Sequence, residues 1–190
     1  MSWNLPASLN IGGADFAIRT DFRVILDILA ACNDPELPDY AKQAVMVEIL
    51  YENWEEIPPE YMQEAMKKAC EFIDCGSKPD EKKKPRLVDW EQDSDLIVPA
   101  VNKIAGVVDI RSVKYMHWWT FFGYFMEIGD GLFSSVLNIR YKKSHGKKLE
   151  KWEKEFYREN KQIIDFHAKI SEEELARREE ERKAIEELVG

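Results

Sequence analysis

Asp89, Glu91, Asp93 and Asp95 come nearest to a chemical motif in this chain, because oxygens at alternate positions are how a calcium loop begins. Such a loop also needs glycine at its sixth place and glutamate at its twelfth; counted from Asp89, those places hold Ser94 and Ala100. The four acids are therefore expected in the first turn of a helix, where the positive end of the dipole favours them. His117, His145 and His167 lack partners at metal-ligand spacing. Cys32, Cys70 and Cys75 are an odd set without a CxxC pair, and are expected as free thiols of a reducing compartment. The phosphate-cradling, zinc-protease and serine-nucleophile motifs do not occur. The expectation is a protein that is not an enzyme and holds no metal and no cofactor.

What remains is surface for another protein. Trp118, Trp119, Phe121, Phe122, Tyr124 and Phe125 fall within eight residues. Aromatic rings carry large burial areas, so such a cluster is either the centre of a core or a face made to be covered. Adjacent residues on a helix point about 100° apart, so either this helix is buried on nearly every side or one tryptophan is left for a partner. Behind it, Lys142, Lys143, Lys147, Lys148, Lys151, Lys154 and Arg158 form a basic band diluted by Glu150, Glu153, Glu155 and Glu159. That band reads as a solvated face or as a docking patch for an acidic partner. The partner-binding candidates are His117, Trp118, Trp119, Phe122, Arg140, Lys147 and Lys151.

The elements that must position these residues are mostly helical. Leu9-Asn10-Ile11, Gly12-Gly13 and Phe16-Ala17-Ile18 predict a short β-hairpin. Thr20 is placed to cap a helix with the face Phe22, Ile25, Leu26 and Leu29. Pro38 opens a second helix facing inward through Met46, Val47, Leu50 and Trp54, with Glu48, Glu52 and Glu55 outward. Pro58-Pro59 opens a third, through Tyr61, Met62, Ala65, Ala69, Phe72 and Ile73 to a stop at Gly76. A fourth, with Trp90, Leu96, Ile97, Ala100 and Ile104 inward, should be kinked or split at Pro99. The aromatic run and Leu132 to Tyr141 supply two more. Beyond Lys147, Leu149, Trp152, Phe156, Ile163 and Phe166 leave only a thin apolar seam.

The fold class expected is mainly α: a compact helical domain over 1–170 with an N-terminal hairpin and a mobile linker near 76–88, then an extended charged helix over 171–190. Residues 1–80 hold 15 acids and 6 bases, a net −9, and 81–190 hold 21 of each, so the whole charge of −9 sits in the first part. That balance argues against nucleic acid as a general partner. It leaves only a faint case for an acidic regulator that mimics DNA. The longest apolar-rich run, Tyr115 to Ile128, is too short for a bilayer span of about 20 residues, and no basic-then-apolar leader opens the chain.

The order of these segments resembles the bacteriophage gene-product-15 family, small proteins of long-tailed phages that infect mainly Gram-positive bacteria. The resemblance is carried by the hairpin running into Thr20-Asp21-Phe22-Arg23, Asp34-Pro35-Glu36-Leu37, Pro58-Pro59, the lysine-rich break, and Asp89 to Asp95 with Leu96-Ile97. Its most specific parts are Asp109-Ile110-Arg111, Met116-His117-Trp118-Trp119 and Ile139-Arg140 with the lysines that follow. It spans roughly residues 5–168. Members are encoded beside the tape-measure protein, which implies a tail assembly chaperone. Such a protein coats the tape-measure protein, helps tail-tube protein polymerise around it, and is then released. The implied partners are the tape-measure protein, the tail-tube protein and, as in several phages, a shorter or frameshifted tail chaperone; whether the chain is also a homo-oligomer is left open by the sequence. The implied place is the cytoplasm of the infected bacterial host. The alternative is a permanent structural component of the tail, a connector or completion protein.

Overall fold

The computed structural model describes residues 4–77 and 85–167, together with residue 177. Among these the fold is mainly helical with one short antiparallel hairpin: β1 (Ser8–Ile11), β2 (Ala14–Ala17), α1 (Phe22–Cys32), α2 (Asp39–Leu50), α3 (Met62–Ile73), α4 (Ser94–Ala105), α5 (Trp118–Met126), α6 (Leu132–Ser144), α7 (Lys151–Glu159) and α8 (Lys161–Ile164). The middle of the expected linker and nearly all of the expected charged tail lie outside the described residues.

β1 pairs with β2 from Ser8↔Ala17 to Ile11↔Ala14. The two residues between them, Gly12 (φ 57°) and Gly13 (φ 87°), both need the left-handed region that a two-residue hairpin turn of this hand demands. Gly12 is fixed twice over, since a Cβ there would lie 2.6 Å from the Tyr61 ring.

The cap of α1 is Asp21 and not Thr20. The Asp21 carboxylate accepts from the Arg23 backbone N–H, while the Thr20 hydroxyl lies 2.7 Å from that of Tyr115. The buried face of α1 is Phe22, Ile25 and Ile28, with Leu26 and Leu29 only half covered. Phe22 stacks flat on Phe121 of α5 at 4.4 Å between ring centres, which joins α1 to α5.

α2 buries Met46, Val47 and Leu50 and exposes Glu48; it ends at Leu50, so Glu52, Trp54 and Glu55, expected on it, lie beyond its end. Tyr51, just beyond it, is fully buried and donates its hydroxyl to the Ala65 carbonyl of α3 at 2.8 Å. α4 runs unbroken through Pro99, so it is not split. Proline costs one helical hydrogen bond there, but Ile97 and Val101 are buried on the opposite side and hold both halves on the core. Ile104, expected inward, is exposed. A second, smaller cluster of Val136, Ile139 and Ile164 lies under Leu149, Phe156 and Tyr157, and seats α7 and α8 on α6.

Candidate functional site

His117 begins the aromatic helix. It is 5% exposed, and its Nδ1 accepts the Trp119 backbone N–H at 3.0 Å. That nitrogen is therefore unprotonated, and Nε2 carries the hydrogen it donates to the Pro6 carbonyl at 2.9 Å. The histidine thus caps α5 and ties the segment before β1 to it. Backbone bonds from Phe22 N–H to Met116 O and from Trp118 N–H to Thr20 O close the same seam.

The two tryptophans do not part company. Trp118 is 1% exposed and donates its indole N–H to Ile73 O at 2.8 Å; Trp119 is half-buried and donates to Phe72 O, also at 2.8 Å. These acceptors are the last two carbonyls of α3, which the helix itself leaves without i+4 partners. Two neighbouring rings reach two neighbouring acceptors because both pairs turn through the same helical angle. Trp118 is core. Trp119 lies over Phe72 with ring centres 6.0 Å apart, and its outer edge walls a shallow groove with Pro6, Leu9 and Gly76.

The outer side of α5 is a ridge at helical spacing: Trp119, Phe122, Gly123 and Met126. Phe122 is half-buried, packed 5.6 Å from Trp118 and 5.8 Å from Phe125, and Met126 is 65% exposed. Gly123 is exposed, and a Cβ there would have nothing within 4 Å. Met126 and Gly123 are absent from the candidates that aromatic content singles out; the i, i+3, i+4, i+7 spacing from Trp119 is the signal that finds them.

Arg140, expected where a partner would touch, is inside the fold at 4% exposure. Its guanidinium holds Asp93 with both ends, at 2.6 and 2.8 Å, and donates to Leu87 O, Ile163 O and Ile164 O at 2.7 to 2.9 Å. All five of its N–H donors are thus used internally, and Phe166 covers its face at 4.2 Å. Asp93 and Asp89 are buried, and Asp89 accepts the backbone N–H groups of Glu91 and Gln92. The acidic run is therefore a turn and a buried ion pair; only Asp95 sits in the first helical turn as expected. Among the described residues no group of three or more His, Cys, Asp or Glu is placed to hold a metal ion.

Lys147 is exposed over the Tyr141 ring at 4.6 Å, and Lys151 is exposed at the start of α7. Both belong to the α6–α7 connection, not to the α5 ridge. Glu153, one of the acids interleaved with the lysines, is 1% exposed. Bonds from Lys142 Nζ at 2.6 Å, the Glu150 backbone N–H at 2.7 Å and Asn138 at 2.8 Å hold its carboxyl below the usual carboxylate range. Burial pushes all three thiols up, Cys75 to about 12 with help from the nearby Asp74, so none offers an activated thiolate. No helix of the described residues is long and apolar enough to cross a membrane.

A family model described as Bacteriophage Gp15 protein matches residues 1–166. No curated protein and no solved structure matches the chain.

Proposed function

The chain belongs to the bacteriophage Gp15 protein family, and on that premise we propose that it is a non-catalytic tail assembly chaperone that binds the tape-measure protein. It acts in the cytoplasm of the infected host, keeps that long partner soluble and helps tail-tube protein assemble around it. Membership alone supports a phage structural or assembly role; the finer reading rests on the outer face of α5.

The observation that carries it is Gly123. A glycine inside a helix costs about 0.5–1 kcal/mol relative to alanine. Its backbone here is ordinary helix and the space above it is open, so nothing within the described fold calls for a missing side chain. Close approach by another helix does call for one. Trp119, Phe122 and Met126 surround the notch with apolar bulk, which suits the apolar stripe of a long amphipathic helix.

The experiment is co-purification with the tape-measure protein, paired with mass spectrometry of finished virions. The wild-type chain retains the tape-measure protein, a folded Met126→Lys variant loses it, and virions lack the chain. Stoichiometric chain in virions would instead make it a permanent tail component, and undiminished capture by Met126→Lys would remove the α5 ridge from the reading.

A further inference from the structure

We propose that copies of this chain join head to tail, the exposed Trp152 of one seating in an acid-rimmed groove between α4 and α6 of the next. The groove has a volume of about 430 Å³ and an apolar floor that includes Leu96, Ile104 and Leu132, the last two exposed. Asp95, Glu127 and Asp130 stand around it against one lysine, Lys103.

The matching surface follows α6. Tyr141 is 39% and Trp152 51% exposed, and between them Lys147, Lys148 and Lys151 are exposed with Glu150 as the only acid. The Trp152 indole is held by its own N–H bond to Glu150 at 3.2 Å, so the ring is presented in place and little ordering is needed on binding. An aromatic anchor among cations thus faces an aliphatic groove among carboxylates, complementary in size and in sign.

Geometry decides between one copy and two. The groove takes in Leu132 and Phe133 at the start of α6, while the lysine patch begins at its last turn. Trp152 is 51% exposed and does not line the groove of its own copy, so the ring is left to the groove of another. Because the two surfaces differ, each joint leaves a groove at one end and a patch at the other, to which further copies can add. This inference does not depend on what the α5 ridge binds.

Sedimentation across protein concentration and salt tests it. Wild-type chain should associate with rising concentration, and less at high salt. Trp152→Ala and Leu132→Arg should each weaken association about thirtyfold or more, the scale of a truncated interface anchor, with unchanged circular dichroism. Mixed one to one, the two variants should form a dimer and nothing larger, because one intact patch meets one intact groove. Asp130→Lys with Lys151→Glu in the same chain should restore what either change alone loses. A wild-type chain that stays monomeric at low salt, a mixture that stays monomeric, or a Trp152→Ala variant that associates normally would each overturn the proposal.

Discussion

Replacing Trp118 and Trp119 in turn separates core from surface within one dipeptide. Trp118 is 1% exposed, so alanine there removes nearly the whole indole from the core. An aromatic side chain buries about 200 Å², and at about 25 cal/mol per Å² that is about 5 kcal/mol, in line with the 3–5 measured for such truncations. The lost indole N–H bond to Ile73 O adds about 1 kcal/mol. Total stability of a domain is about 5–15 kcal/mol, so Trp118→Ala brings the protein to the edge of unfolding. Trp119 is less deeply buried, so alanine there costs less, about 4 kcal/mol with the bond to Phe72 O included. Trp119→Phe keeps the stacking on Phe72 and loses only the bond, about 1 kcal/mol. Urea denaturation followed by circular dichroism measures all three. The Trp119 variants should stay folded yet lose tape-measure binding at least about tenfold, the loss of a modest interface contact. Equal destabilisation by the two alanines would refute the division drawn here, and full binding by folded Trp119→Ala would show that the ridge is not the contact.

Gly123→Ala should stabilise the isolated protein by about 0.5–1 kcal/mol while weakening capture of the partner, an opposition of signs that thermal melts and co-purification together detect. Arg140→Met should cost about 3–5 kcal/mol by stranding Asp93, and adding Asp93→Asn should recover part of it, as a double-mutant cycle in urea would report. Glu153 has a folded-state carboxyl held below its ordinary value of 4.5, so its contribution is complete above that pH and is lost as pH falls through the lower folded value. Wild type should therefore be more stable than Glu153→Gln near neutrality, with the gap in melting temperature closing in acid.

Local signals were legible in the sequence, and long-range polar ones were not. The Gly12-Gly13 hairpin and the Met46, Val47, Leu50 face are written in residues a few positions apart, so period and turn chemistry find them. Thr20 and Asp21 are both good caps in adjacent places, and the choice fell to Asp21 because Thr20 is engaged by Tyr115, which is 95 residues away. Pro99 does not split α4: a proline's local penalty is fixed, but the burial of Ile97 and Val101 that keeps the helix continuous is tertiary. Arg140 stands just ahead of the lysines in the chain and so read as surface like them. Its partner Asp93 lies 47 positions earlier, with no periodicity linking the two. His117 as a cap escaped because imidazole seldom plays that part, and only the Pro6 carbonyl on its other nitrogen fixes it.

The Arg140 clamp also sets an order on synthesis. Asp93 leaves the ribosome well before Arg140, and Arg140 itself waits another 24 residues for the Ile164 carbonyl. Until that residue is free of the exit tunnel, one end of α4 holds a carboxylate that must stay in water, and the small cluster of Val136, Ile139 and Ile164 cannot close. The nascent chain thus keeps its α4–α6 side open until Ile164 is out, and that side then seals around a guanidinium.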